Sequence, residues 1–135
     1  MSRINLAVYR MQKAKEILIE SEDNLNQKHH GLSVNRSYYA MFTSARALLA
    51  MKELDSSKHS GVIALFNQHI IKAEIFPKEL SKFLPKAKDM REDADYGDFI
   101  EITEEDAQTQ LENAKKFVKE AERVLKKMIE NTEKG

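Results

Sequence analysis

From Ile4 to about Leu25, apolar residues recur at three- and four-residue steps. Ile4, Val8, Met11, Ala14, Leu18 and Leu25 therefore share one stripe of a predicted helix. His29, His30 and Gly31 interrupt the pattern, and Ser33 stands where an N-cap would open a second helix reaching about Lys52. Val34, Tyr38, Met41, Phe42, Ala45, Leu48 and Leu49 form its main apolar face. Tyr39, Ala40, Thr43, Ala47 and Ala50 lie opposite, and between Ser33 and Met51 only Arg36 and Arg46 are charged. A helix so poor in charge is buried on more than one side, as the central helix of a bundle or at a subunit interface.

The segment LDSSKHSG reads as a loop, and a short third helix follows from about Gly61 to Lys72, with Val62, Ile63, Phe66 and Ile70 inward. Pro77 suits the first position of a fourth helix, in which Leu80, Phe83, Leu84 and Ala87 continue the stripe. Pro85 should kink that helix, because it removes a backbone hydrogen bond, and Gly97 should end it. After the connection DFIEI, Thr103 with Asp106 forms a capping-box pattern. Ala107, Leu111, Ala114, Val118, Ala121, Leu125 and Met128 then step regularly by four and three along the last helix. The expectation is an all-α, up-and-down bundle of about five helices, one domain over residues 1–130, with residues 131–135 as a frayed tail.

Composition supports helices: 41% hydrophobic and 33% charged residues, with only four Gly and two Pro. Lys plus Arg and Asp plus Glu both number 22, so any anion site must be a local patch. There is no Cys, which excludes disulfides, thiolate metal sites and a cysteine nucleophile. No stretch approaches a membrane span, and MSRINLAVYR lacks a signal-peptide core. The chain is therefore expected to be soluble, unexported and cytoplasmic, with no membrane partner.

The four histidines, at positions 29, 30, 59 and 69, include no pair at the helical spacing that lets two imidazoles share an ion. No metal and no cofactor is expected. His59 reads as a helix-start residue, and Ser60 before Gly61 lacks the setting of a nucleophile elbow. From Lys78 to Arg91 the chain carries Lys78, Lys82, Lys86, Lys88 and Arg91 against Glu79 and Asp89, either a solvated face or a set of RNA phosphate contacts. Arg91, Asp95 and Tyr96 near a helix end are the candidate catalytic residues. Arginine stabilises phosphate charge and a tyrosine hydroxyl donates, accepts or receives a transferred group. Arg91 and Asp95 at i, i+4 also suit an ordinary surface ion pair. Arg36, Tyr39, Lys88 and Arg91 are the candidate nucleotide- or RNA-binding residues, and Arg36 is expected to be partly buried against a carboxylate.

The run Asn35-Arg36-Ser37-Tyr38-Tyr39-Ala40-Met41-Phe42, continued by Ala45-Arg46-Ala47-Leu48-Leu49, resembles the second-helix signature of the HEPN family, the higher eukaryote and prokaryote nucleotide-binding proteins. His59-Ser60-Gly61-Val62-Ile63 with Phe66, then Arg91-Glu92-Asp93-Ala94-Asp95-Tyr96-Gly97-Asp98-Phe99, is similar to its UPF0332 branch, so the resemblance spans about residues 5 to 125. It implies a HEPN-like helical bundle, paired as a homodimer and encoded beside a minimal nucleotidyltransferase, such pairs often behaving as toxin and antitoxin. Active HEPN ribonucleases carry an arginine, then four to six intervening residues, then a histidine, and work without metal. Here Arg91 matches the arginine, but the residue five positions on is Tyr96, a poor base at a reference pKa near ~10.

Two functions follow. One is a dimeric binding or regulatory partner of a nucleotidyltransferase that takes nucleotide or RNA without cutting it. The other is a metal-independent endoribonuclease in which Arg91 stabilises the transition state and Tyr96 or Asp95 handles protons. A two-fold dimer is expected on a second ground. One small bundle should lack helices to cover both faces of the second helix, leaving Tyr39, Ala40, Thr43 and Ala47 near an interface.

Overall fold

The computed structural model of the protein describes residues 2–97 and 100–134. Asp98 and Phe99, part of the expected connection and of the family-like motif, lie outside the described residues. Six helical segments follow in order: α1 (Ser2–Asn26), α2 (His30–Met51), α3 (His59–Phe66) running into a π turn at Asn67–Ile71, α4 (Lys78–Ser81), α5 (Phe83–Tyr96) and α6 (Glu104–Lys134). Segments α4 and α5 are the expected fourth helix in two pieces. The break falls at Lys82, because Pro85 has no N–H for the Ser81 carbonyl and is tolerated in the first turn of α5. Among the described residues there is no strand, and the chain is an all-α bundle.

Helix α2 is the central one, packing most extensively on α1 and also on α6, α5 and α3. This corrects the expectation of an uncovered face. Ala40 and Ala47 are fully buried within the single chain, Tyr39 and Thr43 half-buried, so the monomer itself covers both sides. Small side chains make this possible. Ala7, Ala14 and Ser21 on α1 and Ser33, Ser37, Ala40, Ser44 and Ala47 on α2 are all fully buried at three- and four-residue or seven-residue steps, so neither helix carries bulk along that line.

Ser33 is not the expected cap. Its N–H already bonds to the His29 carbonyl, so it lies inside the helix. Its hydroxyl donates to the Ser21 carbonyl at 2.9 Å, while the Ser21 hydroxyl reaches the Ser33 carbonyl at 2.8 Å and the Ser37 hydroxyl at 2.7 Å. The α1 stripe is also rotated from expectation. Ala7, Met11, Ala14, Ser21 and Leu25 are buried, whereas Val8 is 50% exposed, because Ala7 rather than Val8 takes the inward place beside Met11.

Three helix ends share one device. Lys28, Glu53 and Glu74 have φ of 65°, 58° and 59°, and each is flanked by the paired hydrogen bonds of a Schellman motif. At Lys28, for example, its N–H bonds to the Leu25 carbonyl and the His29 N–H to the Asn24 carbonyl. This turns α1 directly into α2 with no longer loop. The Thr103 capping box forms as expected: the Asp106 N–H donates to Thr103 Oγ1 at 3.0 Å and the Thr103 N–H to the Asp106 carboxylate at 3.1 Å. The inward residues read from the α2 and α6 periodicity are buried, except Met128, which is half-buried at the far end of α6.

Candidate functional site

Helix α5 packs on α2 so that Arg91 meets Tyr38 and Tyr39 and Asp95 meets Asn35, with Lys88, Glu92 and Tyr96 of α5 beside them and His59 from the first turn of α3 on the same aromatic side chains as Phe42. These α5 residues recur at three- and four-residue steps, so one edge of the helix faces α2 while Lys78, Lys82 and Lys86 of the basic run stay exposed. That run is therefore two things: a solvated stretch, and two cations turned inward.

Arg91 lies at the centre and is only 9% exposed. Its guanidinium carbon is 5.3 Å from the Tyr38 ring centroid, 5.5 Å from Tyr39 and 5.9 Å from Tyr96, within cation–π range of all three. Nη1 meets the Asp95 carboxylate at 3.4 Å, while Nε is buried with no hydrogen-bond partner. Burial opposes its charge, but Tyr39 and the hydrogen-bonded Asp95 outweigh this and hold its pKa above the ordinary arginine value.

Asn35 is the hub beside it. Its Oδ1 accepts from Arg36 Nε at 2.9 Å and Nη2 at 2.7 Å, and its Nδ2 donates to Asp95 at 3.0 Å. Arg36 is half-buried as expected, 3.4 Å from Glu20 and 5.2 Å above the Tyr39 ring, so Tyr39 lies between two arginines. Lys88 pairs with Glu92 at 2.7 Å and holds that carboxyl below its ordinary range. Tyr96 is 76% exposed at the rim.

His59 completes the aromatic wall. Its ring centroid lies 4.4 Å from Phe42, 5.7 Å from Tyr39 and 5.8 Å from Tyr38, and Nδ1 is 3.0 Å from the fully buried Tyr38 hydroxyl. Burial pushes the Tyr38 hydroxyl far above the usual tyrosine range, although the Arg91 charge pulls the other way. Burial, then the charges of Arg91, Lys88 and Arg46, hold the His59 imidazole below the ordinary histidine value.

All the candidate residues from the sequence converge here: Arg36, Tyr39, Lys88, Arg91, Asp95 and Tyr96. Asn35 and His59 were missed as site residues. Both stand in the runs that carry the resemblance, but His59 reads there only as a helix start, and no spacing along α5 points to it because it arrives from another helix. Among the described residues no cluster of three or more His, Cys, Asp or Glu is placed to hold a metal ion. Two surface hollows of about 580 and 590 Å³ lie elsewhere, one between Ile71 and Lys78 beside Arg123, one between Arg3, Met51 and Met128. Neither adjoins the Arg91 cluster.

The HEPN domain model matches residues 7–127 of this chain. The chain belongs to the HEPN family. This HEPN chain is 36% identical over 117 residues to the "UPF0332 protein" of Thermotoga maritima, a match covering 87% of this chain and 89% of the relative. It is 35% identical over 115 residues to a Methanocaldococcus jannaschii protein named "Putative toxin", with 85% of this chain and 78% of that one covered. A second protein of that organism and name is 32% identical over 116 residues, covering 86% of each chain. The HEPN assignment agrees with the all-α bundle, and no helix among the described residues is long and apolar enough to cross a membrane.

Proposed function

We propose that this HEPN chain is the dimeric partner of a minimal nucleotidyltransferase in a cytoplasmic toxin–antitoxin-like module, and that its Arg91 cluster takes the phosphate group of a nucleotide or RNA. The observation that carries this reading is the setting of Arg91. A buried guanidinium ringed by three tyrosines, with one donor unpaired, is far from the surface ion pair that i, i+4 spacing alone suggests. Tyr96, exposed at the rim, is a hydroxyl to which a nucleotidyltransferase could transfer a nucleotide, blocking the site by bulk and charge. The names of the Methanocaldococcus relatives support the toxin side. Exposed Leu32, one turn before Asn35, and exposed Tyr96 and Ile100 support the dimer, whereas Ala40 and Ala47 are buried within the single chain. The test is expression in a bacterial host with and without the nucleotidyltransferase encoded beside it. Growth arrest relieved by the partner, with the two co-purifying, is expected; unimpaired growth and no complex would contradict the reading.

One observation favours the endoribonuclease alternative. His59 stands on the same tyrosine pair as Arg91, so the site holds an imidazole although none follows Arg91 in the chain. Against it, Asp95 already accepts from both Asn35 and Arg91. Chelator-resistant cleavage of total RNA, lost in Arg91→Met, is the result by which that alternative prevails.

A further inference from the structure

We propose that His59 is a ligand-binding residue of this site, presenting its Nε2–H to an oxygen of a phosphate group that Arg91 and Lys88 attract. The inference rests on the reading that the Arg91 cluster takes phosphate, and adds a residue from a different helix.

The position of His59 is built in. It opens α3, and Gly61 in that first turn lies so close to Ser56 that a methyl group there would overlap the Ser56 hydroxyl. The Ser56 Oγ in turn accepts from the Lys58 N–H at 3.2 Å, so the loop is folded tightly onto the helix start. The ring then rests on Phe42 with Nδ1 against the Tyr38 hydroxyl.

The chemistry of that hydrogen bond decides which nitrogen carries the proton. A phenol is a stronger acid than a neutral imidazole N–H, and an imidazole nitrogen is a better acceptor than a phenol oxygen. The buried Tyr38 keeps its proton, and the nearby Arg91 charge polarises the O–H further. Tyr38 therefore donates to Nδ1, and the proton of the neutral ring sits on Nε2. Among the described residues the His59 ring makes no other hydrogen bond, and the residue is only half-buried, so Nε2–H is left to meet a ligand.

The field around the ring fits an anion. Burial and then Arg91, Lys88 and Arg46 oppose its protonation and Glu92 favours it, while the Tyr38, Tyr39 and Phe42 rings pack on it. Each of these cations has a carboxylate partner, Lys88 with Glu92 at 2.7 Å, Arg46 with Asp55 at 2.9 Å and Arg91 with Asp95 at 3.4 Å, so an arriving phosphate competes with those carboxylates and does so best at Arg91, whose contact is the longest. The unpartnered Nε of Arg91, in a side chain nine-tenths buried, is a second sign of a site not organised for its own stability alone. In this arrangement His59 is a donor rather than a base, which favours holding a phosphate over cutting beside it.

The test uses the full chain, labelled with nitrogen-15, and three probes: inorganic phosphate, 5′-AMP and a short oligoribonucleotide. Expected are a His59 ring protonated at Nε2 and accepting at Nδ1 at pH 7, a ligand-induced shift of the Nε2 resonance, and a bound-state His59 titration at higher pH than in the free protein. His59→Phe, which keeps the ring packing, should weaken binding about 10- to 100-fold, the scale of one hydrogen bond to a charged group. If His59→Phe does not fold, Tyr38→Phe serves, and should mix the two tautomers and weaken binding. Tighter binding of the oligoribonucleotide than of 5′-AMP supports an RNA source for the phosphate, and equal binding supports a free nucleotide. A ring protonated at Nδ1, or binding within twofold of wild type in His59→Phe while Arg91→Met abolishes it, overturns the role of His59 and leaves the phosphate site standing. Failure of all three probes to bind wild type overturns the phosphate reading itself, and His59 with it.

Discussion

Replacing Arg91 with Met separates a functional arginine from a structural one. The change keeps an unbranched stem as far as the Nε position and removes the guanidinium end with its charge and donors. Lost are the hydrogen-bonded pair with Asp95, at 3.4 Å a long one, worth about 1.5 kcal/mol at the low end for a charged partner. Lost too is the cation–π attraction to the tyrosines, about 0.5–2 kcal/mol. Regained is the cost of a buried donor with no partner, about 1–3 kcal/mol, and part of the desolvation of the guanidinium. Asp95 is not stranded, since its side chain is 25% exposed and still accepts from Asn35. The balance is a stability change within about 1 kcal/mol of zero, against a loss of about 2 kcal/mol or more in Arg91→Ala, which also leaves a void. Urea unfolding at pH 7 followed by helical circular dichroism measures both. A loss above about 3 kcal/mol in Arg91→Met would refute the reasoning and make Arg91 a folding residue.

Lys28, Glu53 and Glu74 hold left-handed backbone conformations that glycine adopts without strain, so each single change to Gly should raise stability by about 0.5–1 kcal/mol in thermal melts. Thr103→Ala removes the capping hydroxyl from α6 and should cost about 0.5–2 kcal/mol, with faster amide exchange in its first turn. For Asp55, burial raises the pKa but is outweighed by hydrogen bonds from Arg46 and the Ser56 N–H and by the charges of Arg46 and Arg10, so the folded carboxyl titrates below its ordinary value. Its contribution is therefore complete above about pH 4 and lost as pH falls through the folded pKa. Asp55→Asn should narrow the gap between urea midpoints at pH 7 and at pH 2.5, and an unchanged gap would remove Asp55 from the acid response.

Helical periodicity is strong enough to be read wherever one stripe alone is buried, and the start and buried stripe of α6, with its capping box and regular apolar steps, are legible almost to the residue, although the helix continues to Lys134 through the segment expected to fray. Helix α2 was legible as a helix buried on more than one side, but which partner covers it is a tertiary fact. The small faces of α1 and α2 let the monomer do this. Ser33 looked like a cap because serine satisfies orphan N–H groups, but here a facing helix claims its hydroxyl. The helix ends at Lys28, Glu53 and Glu74 were invisible because no glycine marks them. At the site, one helix edge of α5 and the α2 signature give Arg36, Tyr39, Lys88, Arg91, Asp95 and Tyr96 from local spacing. His59 requires knowing that α3 returns to Tyr38, which spacing along one helix cannot show.

The central claim is that Tyr96 and Arg91 form a phosphate-handling site under the control of a nucleotidyltransferase. It is tested most directly by intact mass. The protein and Tyr96→Phe are each incubated with a minimal nucleotidyltransferase of the proposed kind, with ATP and Mg²⁺, and weighed. A gain of one or more whole nucleotide units in the wild type, absent in Tyr96→Phe, is the expected result. No gain, or an equal gain in the variant, would contradict the claim.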